Sequence, residues 1–109
     1  MSGKNGFIKL HRQLLDWEWY TDANTFRVFI DLLLRASFKD VAYKGITIKR
    51  GQILTTTDEI ATRLNLTRMQ VRVTLEHLQA TCELSHEKVL NRSMITVQNY
   101  DLFYGKYYF

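Results

Sequence analysis

The 109-residue sequence contains no proline, where about 5% is usual, and its five glycines never cluster. Nothing in it therefore reads as a linker, a polyproline segment or a low-complexity tail, and no internal repeat is visible. Cys82 is the only cysteine. An internal disulfide is excluded, a reducing compartment fits, and the Asn65-Leu66-Thr67 and Asn91-Arg92-Ser93 sequons have no meaning there. Apolar runs are no longer than Leu32-Leu33-Leu34 and the N-terminus has no signal-peptide core, so the expected location is the cytoplasm, with no membrane contact. What is left, at 46% hydrophobic, is enough for one core and too little for two.

Acidic residues are scarce in one place. The net charge is +4, and residues 44–72 hold Lys44, Lys49, Arg50, Arg63, Arg68 and Arg72 against only Asp58 and Glu59, which accounts for the whole excess. A localised basic patch points to a polyanion, and double-stranded DNA is the natural one.

That patch surrounds two helix starts. Thr57 can cap a first helix whose opening turn carries Asp58 and Glu59, where the macrodipole favours negative charge, and Asn65 can stop it. Thr67 with Gln70 forms a T-x-x-Q capping box for a second helix, and the short polar break gives helix-turn-helix spacing over 58–80. Ile60, Ala61 and Leu64 line the first helix, and Val71, Leu75 and Leu78 recur at i, i+4, i+7 on the second. With those three facing inward, Arg68, Arg72 and Gln79 fall on one flank, Gln70, Thr74 and His77 on the other, and Met69 and Val73 point outward. Such side chains reach phosphates, purine edges and thymine methyls.

Around this motif, residues 7–19 predict an N-terminal helix with an aromatic end. Asp22 or Asn24 can cap a core helix over 25–37 that buries Phe26, Phe29, Ile30, Leu33 and Leu34. Val28 and Leu32 fall off that stripe, which leaves them to the N-terminal helix or to another subunit. Residues 45–55 alternate as strand, bend and strand around Arg50-Gly51. Residues 84–99 read as a β-hairpin wing turning at Leu90-Asn91-Arg92-Ser93 and carrying Lys88, Asn91 and Arg92 at its tip. The aromatic segment 100–109 is expected to dock beside Trp17 and Trp19 rather than to stack single strands. The fold class is α+β, a winged helix-turn-helix: mostly helical, with a small antiparallel sheet and a hairpin wing.

The chain resembles the N-terminal winged-helix domain of phage and Gram-positive replisome organisers, the primosomal proteins related to DnaD. The resemblance rests on Gly6-Phe7-Ile8-Lys9-Leu10-His11-Arg12 with Leu14-Leu15-Asp16, on Asn24-Thr25-Phe26-Arg27, on Gly45-Ile46-Thr47-Ile48-Lys49-Arg50-Gly51-Gln52, and on Ile95-Thr96-Val97-Gln98-Asn99-Tyr100-Asp101. It implies a module that binds origin DNA, self-associates as a dimer or larger oligomer, and helps recruit a helicase loader or helicase. Where members usually have Thr-Gly after the recognition helix, this chain has Thr81-Cys82. Members also commonly continue into a second, C-terminal module.

No catalytic residue stands out. The glycines form no phosphate loop, and His77, Cys82 and His86 lack a fourth ligand and straddle a helix end. No cofactor, metal or enzyme activity is expected. The residues expected at DNA are Thr67, Arg68, Met69, Gln70, Arg72, Val73, Thr74 and His77 on the second helix, Lys49, Arg50 and Arg63 in the basic segment, and Lys88, Asn91 and Arg92 on the wing. Replication is the leading process. A small transcription regulator or plasmid-transfer accessory factor would use the same helix, and an interaction module would instead bury Met69, Val73, Val28 and Leu32 against partners.

Overall fold

A computed structural model of the chain describes residues 6–105. In chain order its elements are β1 (Phe7–Ile8), a 3-10 turn (Arg12–Asp16), α1 (Ala23–Arg35), β2 (Val41–Tyr43), β3 (Ile46–Ile48) and β4 (Gln52–Thr55). There follow α2 (Thr57–Leu64), α3 (Arg68–Ala80), β5 (Leu84–Val89), β6 (Arg92–Val97), α4 (Tyr100–Phe103) and β7 (Tyr104–Gly105). The result is an α+β fold of four helices and small antiparallel sheets: β1 with β7, β2 with β3, and a three-stranded sheet in the order β4-β6-β5.

Asp22 caps α1 by accepting from the Thr25 N–H at 3.1 Å. The buried face of α1 is Val28, Phe29, Leu32 and Leu33, and it shares one core with Ile60 and Leu64 of α2 and Val71, Leu75 and Leu78 of α3. This corrects the expected stripe. Leu34 is 64% exposed, whereas Val28 and Leu32 are fully covered inside one chain and are not available to a second subunit. The helix is apolar around so much of its circumference that two stripes were compatible with its periodicity. One boundary of the real face is set by Asp31, which is buried because Arg35 and Arg63 pair with it.

No α-helix forms over 7–19, only a single 3-10 turn at Arg12–Asp16. Residues 7–8 pair with β7, and the 3-10 turn buries nothing. The mixed apolar spacing had no helical period, and its alternation of Trp17 and Trp19 turns both indoles inward. Trp17 packs on Phe29 with ring centres 5.0 Å apart and donates to Glu83 Oε1 at 2.6 Å. Trp19 stacks on His77 at 4.2 Å and donates to Thr81 Oγ1 at 2.9 Å. The aromatic end thus braces the C-terminus of α3 against α1. Phe103 reaches the same cluster through Phe29, at 5.7 Å. The remaining aromatics expected to dock there, Tyr107 to Phe109, lie outside the described residues.

The bend at Arg50-Gly51 is present, but the strands it joins do not pair with each other. β3 pairs with β2 through a tight turn at Lys44-Gly45, and β4 crosses to β6, with Gln52 opposite Thr96 and Thr55 opposite Ser93. Gly51 holds φ at +85°, and a β-carbon there would lie 3.0 Å from Tyr100 Cβ, so the close approach of β4 to α4 requires glycine. The β5–β6 hairpin closes on a two-residue turn, Leu90-Asn91, with both φ values positive, shorter than the four-residue turn the sequence implied.

Candidate nucleic-acid interface

Local signals place the two helices. Thr56, one residue before the expected cap, accepts from the Glu59 N–H at 3.0 Å and starts α2. Asn65 ends it in the left-handed region at φ +56°, and the Leu66 N–H returns to the Ala61 carbonyl at 2.9 Å. Arg27 of α1 donates to the Leu64 carbonyl at 2.9 Å and seats the turn on the core. The capping box of α3 is complete: Gln70 N–H donates to Thr67 Oγ1 at 3.1 Å, and Thr67 N–H to Gln70 Oε1 at 2.9 Å.

The outer face of α3 carries Arg68, Met69, Gln70, Arg72 and Val73, all exposed. Met69 is 64% accessible. A large apolar side chain so open at the start of a helix has no role in the core. Two expected members of this face are not on it. Thr74 is buried and donates to the Val71 carbonyl at 2.7 Å. It sits three residues after Val71 and four before Leu78, so the inner stripe takes it in. His77 lies under the Trp19 ring with Nδ1 2.9 Å from Thr25 Oγ1 and 3.4 Å from Asp22 Oδ2. It ties α3 to the cap of α1. Thr67 and Gln70 remain on the face, with their mutual capping contacts already made.

The basic residues differ from the expectation in a more consequential way: most of the arginines are already paired with acids. Arg63 bonds Asp31 at 3.0 Å, which holds its guanidinium above the usual range. Arg50 bonds Asp101 at 2.7 Å, donates to the Phe38 carbonyl and lies over the Tyr100 ring. Arg92, at the end of the hairpin, bonds Glu59 at 2.9 Å, and Glu59 also takes Arg35 at 3.1 Å. Arg68 grips Asp58 with two donors, Nε to Oδ1 and Nη2 to Oδ2, and this hydrogen bonding holds the Asp58 carboxyl below the usual carboxylate range. Among the described residues Arg72, one turn after Arg68, makes no ion pair, although its charge also helps to hold the Asp58 carboxyl down; Lys49 makes none either, nor does Lys88 near the hairpin tip, where Asn91 is also exposed.

The first turn of α2 is therefore a junction. Asp58 holds the first residue of α3, and its neighbour Glu59 holds the first residue of β6, so helix start and hairpin tip are fixed relative to each other through two adjacent carboxylates. Composition pointed to a basic segment, but the acids that answer it lie 10 to 51 residues away in sequence. Only the i,i+4 pair Asp31–Arg35 could have been read from spacing.

Among the described residues no group of His, Cys, Asp and Glu could hold a metal ion, and no helix is long and apolar enough to cross a membrane. No family model, curated protein or solved structure matches the chain.

Proposed function

We propose that the chain is a winged helix-turn-helix module that binds double-stranded DNA, with α3 in the major groove and the β5–β6 hairpin as a short wing against the flanking backbone. The observation that carries this reading is the outer face of α3, where Arg68, Met69, Gln70, Arg72 and Val73 are all exposed on a helix whose opposite face is core. The chain order α1, β4, α2, α3, β5, β6 and the sheet order β4-β6-β5 are compatible with a winged helix and support the reading. The resemblance to replisome organisers makes replication initiation in a phage or mobile element the process, with a helicase loader or helicase as further partner.

Fluorescence anisotropy with short duplexes at low salt tests the reading. Arg72→Ala is expected to weaken binding uniformly across sequences, as loss of a phosphate contact does. A parent protein that binds no duplex would end the proposal. Pairing of two copies on a palindromic site would now rest on Leu34, Phe38, Val41 and Tyr43, which are exposed, and not on Val28 and Leu32. Sedimentation equilibrium at the 12.9 kDa monomer mass would remove it.

Met69 and Val73 also suit a protein-interaction module. Weak, sequence-blind duplex binding, with no loss in the Arg72 variant, would favour that second reading.

A further inference from the structure

We propose that Asp58 and Arg68 act as one unit that reads a guanine, with Arg68 the base-contacting residue and Asp58 its positioning residue. The inference rests on the DNA-binding reading above and deepens it.

A guanidinium carries five N–H donors in a rigid plane. Asp58 takes the edge formed by Nε and Nη2, with Nη2 to Oδ2 at 2.6 Å. Three donors remain, two on Nη1 and one on Nη2, and together they make a second fork in the same plane that no acceptor among the described residues takes. Both side chains are more than half exposed, so that fork opens to solvent and not into the core. Its two-donor geometry matches the O6 and N7 acceptors that guanine presents in the major groove.

A phosphate also accepts a forked guanidinium, so charge must decide. Asp58 brings the pair close to neutral, and in the proposed complex it stays beside the arginine. The pull toward a backbone phosphate is largely cancelled, whereas the acceptors of guanine carry no net charge and need shape more than field. Arg72 provides the contrast on the same face: one turn later, it hydrogen-bonds no carboxylate among the described residues and feels Asp58 only at longer range, so it keeps more of its charge for the backbone. Arg68 is also the first residue of α3, and residues at the start of a recognition helix are the ones that meet base edges. Bidentate fixing by Asp58 removes rotamer freedom before binding, so the fork is preorganised.

The test starts from duplexes selected by the parent protein from a random pool. A fixed guanine is expected, and Arg68→Lys, which keeps the charge but has no fork, should cut discrimination against the other bases at that position by roughly 5- to 100-fold while leaving the salt dependence unchanged. Replacing that guanine by 7-deazaguanine should weaken the parent more than the lysine variant. Asp58→Ala should relax the base preference and raise affinity for unselected duplex. Circular dichroism melts confirm that these surface variants fold. If the parent binds duplex but Arg68→Lys keeps the same base preference, or if Arg68→Ala lowers the salt slope by about 0.9 equally on all sequences, Arg68 contacts phosphate and the unit is refuted while DNA binding stands. A parent that binds no duplex refutes both.

Discussion

Cys82 holds φ at +63° just past α3, and Leu90 holds +54° at the hairpin tip. The bonds around Cys82 form a Schellman close, with Glu83 N–H on the Leu78 carbonyl at 2.9 Å and Cys82 N–H on the Gln79 carbonyl at 3.1 Å. A β-carbon in that conformation costs roughly 1–2 kcal/mol. The thiol is exposed, so nothing is lost from the core on removing it. Cys82→Gly is expected to stabilise the protein by about 0.5–1 kcal/mol after the added freedom of the unfolded chain is subtracted, read as a raised urea midpoint at constant slope. A lowered midpoint would show that no strain is stored there. Leu90-Asn91 occupies a turn that Asn-Gly fits far better, and the double replacement Leu90→Asn, Asn91→Gly should stabilise by a similar amount, measured in the same way. Only the first of these positions could be anticipated, from the Thr-Gly of resembling sequences. Asn65 was legible because asparagine itself signals the left-handed region, while leucine at φ +54° carries no such signal.

What each element shows is how local its signals are. The break between α2 and α3 and the capping box were readable because the caps that start and stop these helices are made within five residues, while the distant Arg27 only seats the turn on the core. The face of α1 was not, because a helix apolar on most sides is oriented by its partners, and here by the burial of Asp31 between two arginines. The inner placement of His77 has the same origin: Trp19 and Thr25, 58 and 52 residues away, claim its ring. Trp19→Phe should therefore lose both the bond to Thr81 and much of the stack, for a destabilisation of about 1–2 kcal/mol in urea denaturation. The α2–α3 link has a pH signature. The Asp58 carboxyl is held below its ordinary range chiefly by the Arg68 hydrogen bond. Its contribution to stability is present above the unfolded-state value and is lost as pH falls through the lower, folded one. Asp58→Asn should flatten the stability profile below about pH 4 and leave it unchanged near neutrality in shape. An unaltered acid limb in thermal melts would count against the pair.

At the scale of the whole molecule, the net charge of +4 overstates what a duplex would feel locally. Seven basic residues were candidates for phosphate: Lys49, Arg50, Arg63, Arg68, Arg72, Lys88 and Arg92. Four of them face carboxylates at hydrogen-bond range. Exposed ion pairs are worth under about 1 kcal/mol, so DNA could open them, but opening a pair leaves its acid in the interface, and the field at the backbone hardly changes. Counterion release responds to that field. Each phosphate neutralised contributes about 0.9 to the slope of log affinity against log salt. Contacts from Arg72, Lys49 and Lys88 alone give a slope of about −2 to −3, whereas all seven would give about −6. An anisotropy series over salt concentration on one duplex separates the two, and Arg72→Ala should reduce the steepness by about 0.9. The shallow slope is the expected result, because a site whose arginines are held by their own carboxylates spends its charge on positioning and draws affinity from fit to the groove. A slope near −6 would mean that the carboxylates leave the interface as the arginines turn to the backbone, and the junction at the first turn of α2 would then be a feature of the free protein only.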